Sequence, residues 1–405
     1  MLKILYIDGD GPFGGASRSL FEAVRALPKE SVEPYFIASS GTALDFYKQV
    51  AVDVVETRGM TKFDNTRYSY YRGIRWLILL REICYIPFMV VALLKARNRW
   101  DHIDLIHVNE FVYIIPALIA KYLFTVPLVV HVRSLARKDD NSKRTRWLIS
   151  TLASKADAVI AINENTRASL PSNLLVDVIQ NSFTAKNTPQ SDSVFTKKLN
   201  ALRPNSLKVG FVGNLHHSKG LFDIFEAAKL TKKLEYDVEF IIVGGVTLAD
   251  HGVKAWLLDR VGLAQNVQHD LAELVLQENM SNDFHLLGPT LDIKSVYDRI
   301  DVLLFPSHYD APGRPVFEAA FSSVPSIVSV GNPRADTLVH GETGLAIPAK
   351  SPLELAKAIM YFADNPEESK RMGNNAKQLA LNNFDPTTNA KKLLDIYLRV
   401  LSLKK

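Results

Sequence analysis

One cysteine, Cys84, occurs in 405 residues. A lone thiol excludes an internal disulfide and any cysteine-rich zinc site, and it suits a reducing compartment, so a cytoplasmic chain is expected. The apolar run at 1–8 is too short for a signal peptide and passes straight into a glycine-rich loop, so a first buried strand is expected there. No apolar run is both long and unbroken. In the richest segment, 72–100, Arg81, Glu82 and Pro87 interrupt, and the clean stretch 83–94 is too short to cross a bilayer. The dinucleotide fingerprint is missing too: Gly9, Gly11 and Gly14 would have to supply it, but Gly9 and Gly11 sit too close to the first strand. No ribose-binding carboxylate follows near that strand either, which argues against a dehydrogenase. Solenoid-type repeats are absent. No metal-ligand cluster is evident, so neither a metal nor a resident cofactor is expected.

What is present is an ordinary globular composition. Hydrophobic residues make up 47% and charged residues 22%, which rules out a largely disordered chain. At about 150 residues per domain, the length suggests two domains. The net charge of +5 is unevenly spread: residues 1–200 hold 26 Lys and Arg against 19 Asp and Glu, and the remainder 22 against 24. Between Lys62 and Arg99 eight basic residues face only Asp64 and Glu82. This excess is confined to one segment and interleaved with aliphatic side chains, so a nucleic-acid partner is not expected.

Apolar runs at 3–7, 34–38, 105–108, 128–132, 158–162 and 176–179 read as buried strands separated by helical patterns. Such alternation predicts a parallel sheet with right-handed crossovers. From 184 to 208 the text turns polar and reads as a linker. A second alternating series, at 209–213, 239–243, 284–287, 302–305, 326–329 and 345–347, predicts a second doubly wound domain, followed by helices at 366–381 and 387–403.

The chemistry-bearing residues fall where these strands end. After the first strand, Gly14 and Gly15 let the backbone approach a bulky anionic group at a helix start, although a tight turn would read the same way. His131 closes a strand with Arg133 two residues on, which places it toward a ligand crevice; a core histidine is the plainer reading. His102 and His107 read as structural. In the second half, Gly213-Asn214 leads to Lys219-Gly220 at a helix start, pairing an ammonium with a helix N-terminus as a diphosphate would require. The stretch 307–344 holds two carboxylates, Asp310 and Glu318, beside another strand-to-helix crevice. There helix N–H groups suit a phosphate, and a carboxylate one turn further on suits hydroxyls, so phosphate and sugar recognised side by side is the expectation.

Gly14-Gly15-Ala16, His131, Val178-Ile-Gln-Asn181, Gly213-Asn-Leu with Lys219-Gly220, Asp310 with Glu318-Ala, and Gly341-Glu-Thr-Gly344 occur in an order that resembles the retaining glycosyltransferases of family 4. The resemblance covers nearly the whole chain. It implies the GT-B fold: two Rossmann-like, doubly wound parallel-sheet domains, 1–190 on the acceptor side and 206–385 binding the nucleotide-sugar, facing across a cleft, with a returning C-terminal helix at 386–405. It further implies that Glu318 binds the ribose hydroxyls. Lys219 would hold the diphosphate with Gly14, Gly15 and the backbone N–H groups near Gly313, Pro315, Val316 and Phe317. His131 and Asp310 would meet the transferred sugar, Asn214 would lie at the donor, and Arg18 and Arg133 on the acceptor side. Two positions depart from the family pattern: Asp310 stands where glutamate is usual, and Asn214 near where an arginine pairs with the phosphates, leaving Lys219, Arg314 or Arg18 to carry more of that charge.

The resemblance implies transfer of a sugar from a nucleotide-sugar donor, with retention by front-face attack, to a glycan or lipid-linked acceptor of cell-surface polysaccharide. An Asp-X-Asp reading of Asp8-Gly-Asp10 as a metal motif competes weakly, because that motif closes the first strand. Another GT-B enzyme, such as an epimerase or synthase, and a non-catalytic sugar-nucleotide binder are the alternatives. The segment 72–100 can form an interfacial helix on an anionic membrane, rimmed by Trp76, Trp100 and arginines, or a helix buried between strands. The first of these would place the protein peripherally on the inner face of the membrane.

Overall fold

The computed structural model describes residues 1–69, 71–183, 193–245, 267–290 and 292–403. The chain divides into two compact units, Met1–Phe183 with Phe384–Lys405, and Thr184–Asn383. Among the described residues each unit is built on one parallel sheet.

The first unit carries β1 (Leu2–Asp8), β2 (Val32–Ser39), β3 (Asp53–Thr57), β4 (Leu105–Val108), β5 (Leu128–Val132), β6 (Ala158–Ala161) and β7 (Asp177–Val178), in the spatial order β3-β2-β1-β4-β5-β6-β7. Successive residues of β1 feed opposite faces. Ile4 and Tyr6 join Phe36, Val129 and Ile160 on one side, while Leu5 and Ile7 join Val108, Val130 and Val132 on the other. Both faces are covered, which is why these strands read as continuous apolar runs. The exception is β3, which has no counterpart among the sequence-predicted strands. It is an edge strand whose Glu56 is exposed, so its apolar signal is reduced to Val54-Val55.

The first face is closed by the C-terminal helix Pro386–Ser402, which inserts Leu393, Ile396, Tyr397 and Val400 and is capped by Asp385, whose carboxylate accepts from the Thr388 N–H at 2.7 Å. The second is closed partly by the helix Trp76–Arg99 through Met89, Ala92, Leu93 and Ala96. That helix corrects two expectations. Pro87 lies inside it without ending it, so Arg81, Glu82 and Pro87 do not interrupt the segment, and by length and composition it is apolar enough to cross a membrane. It is also not buried between strands: Trp76, Leu77, Leu80, Ile83, Val91 and Leu94 are exposed. Glu82, itself buried, pins it by accepting from the Lys62 N–H at 2.8 Å while its backbone carbonyl accepts from Thr61 Oγ1 at 2.8 Å.

The second unit carries β8 (Leu207–Val212), β9 (Val238–Val243), β10 (Phe284–Gly288), β11 (Val302–Phe305), β12 (Ser326–Ser329) and β13 (Gly344–Ile347), ordered β10-β9-β8-β11-β12-β13. Part of the predicted linker, 184–192, lies outside the described residues. Its remainder is not simply linker: Ser193–Asn200 is helical, and Phe195 and Leu199 are buried against Val212, Ile241 and Leu303.

In both sheets the strand order reverses beside the first strand, between β1 and β4 and between β8 and β11. Loops leaving the carboxyl ends there must diverge to opposite faces, which opens a crevice. The predicted site residues cluster at these two places.

Candidate active site

In the second unit two loops build the crevice. The loop leaving β8 ends at Gly220, whose φ of 75° is left-handed and whose added Cβ would lie 2.1 Å from the Pro306 carbonyl oxygen. Conformation and space both require glycine there. The turn sets Lys219 just before the helix Leu221–Lys233, with its ammonium 5.5 Å from the Phe305 ring centre and 5.4 Å from that of Tyr309. Burial holds this ammonium below the usual lysine range, and among the described residues no carboxylate pairs with it. Asn214 stands exposed at the start of the same loop.

The loop leaving β11 is stitched to the first. The His308 N–H donates to the Ser218 carbonyl at 2.9 Å, Ser218 Oγ donates to Tyr309 Oη at 2.9 Å, and the His308 ring meets Asp223 at 2.8 Å. Asp310 follows at φ 51°, a left-handed conformation that aspartate tolerates better than most residues, and its Oδ1 accepts from the Gly331 N–H at 2.6 Å. One oxygen of Asp310 therefore ties the loop to the end of β12. Gly313 then starts the helix Arg314–Phe321 with no side-chain cap, and a Cβ on it would fall 2.4 Å from Phe305 Cζ. The Phe305 ring thus lies against both the helix start and the Lys219 ammonium.

This helix start is less rich in donors than expected. Pro315 has no N–H, and the Val316 N–H donates to the Gly313 carbonyl at 3.1 Å. Glu318, buried at 4% exposure, accepts from Tyr297 Oη at 3.0 Å and from Arg314 Nε at 3.1 Å. The guanidinium expected to take up phosphate charge is thus paired with Glu318. Val316 and Phe317 are buried, Val316 within the apolar cluster under the sheet.

In the first unit the crevice lies between the loop after β1 and the ends of β4 and β5. Gly9 and Gly11 are explained by packing, since added Cβ atoms would strike Tyr113 at 2.2 Å and the Ser40 carbonyl oxygen at 2.6 Å. Gly14 is different: its Cβ would meet only the Pro12 carbonyl oxygen at 4.0 Å. Its missing side chain leaves open the start of the helix Gly15–Ala26, where Gly14 and Gly15 meet. Arg18, on that helix, pairs with Glu22 at 3.1 Å.

His131, next to last in β5, lies in the core, its ring 5.4 Å from that of His107 and its Nδ1 3.3 Å from Arg133. Burial first, then Arg133 and His107, hold it well below the usual histidine range, so the ring is neutral. Its Nε2 has no hydrogen-bond partner among the described residues. Arg133 is held by Asn109 Oδ1 at 2.6 Å and Asn181 Oδ1 at 2.7 Å, a fork that fixes the end of β5. His107 is structural, its Nδ1 2.6 Å from Tyr397 Oη of the C-terminal helix.

Sequence reading missed several neighbours of these groups. Tyr297, Phe305 and Tyr309 frame Glu318 and Lys219, and Lys62 and Glu110 lie at the first crevice with Asp8 and Asp10, which the sequence offered only as a weak metal motif. Asp8 accepts from Ser17 and Tyr47, and burial together with Asp10 pushes it up to about 6. Glu110 is pushed up to about 7 by burial. Asp8 closes the apolar run of β1 and Glu110 lies two residues past that of β4, and that was the available signal. Among the described residues no three His, Cys, Asp or Glu side chains converge as metal ligands.

Paired parallel sheets with crevices of this kind match solved structures of the GT-B class. Anabaena HepE in complex with UDP superposes over 98% of this chain and 99% of its own at a TM-score of 0.73 and 20% identity. The Glycosyltransferase Family 4 model matches residues 13–182 and the Glycosyl transferases group 1 model residues 195–379, and the chain belongs to the family 4 glycosyltransferases. Similar proteins include a glycogen synthase of Mycobacterium tuberculosis, 24% identical over 73% of this chain and 68% of that protein. A lipopolysaccharide core biosynthesis mannosyltransferase of Rhizobium leguminosarum bv. viciae is 25% identical over 66% and 70%.

Proposed function

We propose that this glycosyltransferase moves a sugar, with retention, from a nucleotide-sugar donor to a glycan or lipid-linked acceptor in cell-surface polysaccharide assembly, working on the inner face of the membrane. The observation that carries the donor half is the half-buried Lys219 ammonium, with no carboxylate paired to it among the described residues, set against the same phenyl ring as the uncapped helix start at Gly313. A buried cation without a counter-charge is costly unless an anion arrives. A departing diphosphate supplies that anion, and its growing charge in the transition state is what Lys219 stabilises. Glu318, held by Tyr297 and Arg314, is oriented to accept from ribose hydroxyls. His131, neutral and with Nε2 to spare, serves as a hydrogen-bonding group rather than a charge; Asp310, anchored to Gly331 through Oδ1, is assigned to the sugar on the resemblance. The UDP-bound neighbour and the mannosyltransferase relative support a nucleotide-sugar donor and a polysaccharide or glycolipid product.

A thermal-shift screen against UDP, GDP, ADP and their sugars identifies the donor, and hydrolysis of that donor without acceptor measures the chemistry. Lys219→Ala should keep its melting temperature and lose on the order of 10² to 10³ in turnover, the usual loss for one preorganised donor. Wild-type turnover in that variant would remove the assigned role.

A further inference from the structure

Beside the loop after β1, the first unit encloses a cavity of ≈ 320 Å³ that reaches the N-terminal end of the Trp76–Arg99 helix. Three cations line it and each is matched by a carboxylate also lining it: Lys62 with Asp10 at 2.7 Å, Arg75 with Asp64 at 3.8 Å, and Arg81 with Glu82 at 2.7 Å. A fourth acid, Glu110, is deeply buried and engaged by the N–H groups of Phe111 and Arg133. Held up to about 7 by burial, it is largely protonated on the acid side of neutrality and adds little net charge. The cavity is therefore close to electroneutral. A phosphate entering it would meet no cation without a carboxylate facing it and would itself face four carboxyl groups, whereas Lys219 in the other unit has no such partner among the described residues.

The same lining suits hydroxyls. Paired carboxylates still accept through their remaining lone pairs, Thr66, Ser69, Tyr71 and Ser134 bring hydroxyl groups, and Arg75 Nε is a buried donor with no partner among the described residues. Ile78 and Val112 add an apolar wall, and the volume is in the range of small-ligand sites. We infer that this cavity holds an uncharged sugar residue at the end of the acceptor, and not a phosphate, with any lipid portion leaving along the exposed face of the adjoining helix. This rests on the glycosyltransferase reading above and specifies the chemistry of its acceptor.

The test uses the full chain and four soluble probes below their micelle concentrations: octyl β-glucoside, octyl β-galactoside, octyl α-mannoside and octyl phosphate, measured by titration calorimetry and saturation-transfer NMR. At least one glycoside should bind wild type about tenfold more tightly than octyl phosphate, the ratio expected from one charge-assisted hydrogen bond. Asp64→Asn releases the Arg75 charge and should raise octyl phosphate affinity. Ser69→Trp, at a surface turn, should fill the cavity and abolish glycoside binding while the melting temperature and the donor-induced shift stay put. Octyl phosphate binding as tightly as the best glycoside, glycosides binding Ser69→Trp unchanged, or no glycoside binding at all would each overturn the assignment. Donor hydrolysis on the same preparation separates the two readings: if it persists while glycosides fail, only the cavity assignment falls, and if no nucleotide-sugar is bound or hydrolysed, the wider reading falls.

Discussion

Glu110 shows how a single side chain couples the first crevice to pH. Its folded pKa, about 7, lies above the ordinary carboxylate range because burial penalises the charged form. Between pH of roughly 4.5 and 7 the unfolded chain therefore releases a proton that the folded chain keeps, so this group makes the fold less stable as pH rises through that window. His107 acts oppositely: burial holds it down to about 3, so its contribution to stability is lost as pH falls from about 6.5 toward 3. Glu110→Gln isolates the first effect, since the amide oxygen can still accept from Phe111 and Arg133 and never ionises. Urea unfolding at pH 5 and pH 8 should show the variant gaining roughly 1 to 3 kcal/mol relative to wild type at the higher pH. An unchanged difference between the two pH values would mean that Glu110 is already ionised at pH 5. At this scale the sequence revealed groups at strand-to-helix transitions, such as Lys219 just before one helix and Glu318 in the first turns of another, because strand, loop and helix succeed each other in the text. Their partners were hidden: Tyr309 meets Ser218 across 91 positions and Tyr297 meets Glu318 from a different helix, and only the parallel order of β8 and β11 brings the first pair together.

At the scale of elements the strands were legible and the Trp76–Arg99 helix was only half so. Strands buried on both faces leave unbroken apolar runs, which is why β4, β5, β11 and β12 carry the predicted bounds, whereas β3 at an exposed edge leaves none. The helix carried the predicted mixture of apolar and basic residues, but its continuity through Pro87 was not readable. A mid-helix proline costs about 3 kcal/mol in isolation, and here packing of Met89, Ala92, Leu93 and Ala96 offsets it. What remains outside is an apolar stripe, with Leu80 61% and Val91 64% exposed, flanked by Arg72, Arg75, Arg81, Lys95, Arg97 and Arg99. A stripe of this kind suits the headgroup region of an anionic leaflet, where each basic residue adds roughly 1 kcal/mol. Flotation with vesicles containing phosphatidylserine should carry wild type upward and leave Leu80→Glu/Val91→Glu behind. Both side chains already face water, so the melting temperature should hold within a degree or two; flotation equal to wild type would end the membrane assignment.

At the scale of the whole molecule, the chain leaves its first unit at Phe183 and re-enters it at Phe384, so the first sheet is covered by a helix that follows the second unit in the sequence. The C-terminal helix buries Ala390, Leu393, Ile396, Tyr397 and Val400 in the cluster that holds Tyr6, Phe36 and Ile160, with the Tyr397 hydroxyl 3.3 Å from that of Tyr6. At about 1.5 to 3 kcal/mol per large apolar side chain, the four larger residues alone are worth roughly 6 to 12 kcal/mol as an upper bound, comparable with the net stability of an entire domain. Removing Tyr397 also strands the buried His107 ring, at a further cost of about 1 to 3 kcal/mol. A fragment of residues 1–183 should therefore be insoluble or lack a cooperative thermal transition, and joining 384–405 to it through a flexible linker should restore that transition. The interior of the second unit needs none of this help, because its buried clusters draw only on its own residues, so a fragment of residues 184–383 should unfold cooperatively by circular dichroism without the C-terminal helix. Cooperative unfolding of 1–183 alone would show that the returning helix rides on a sheet already stable without it.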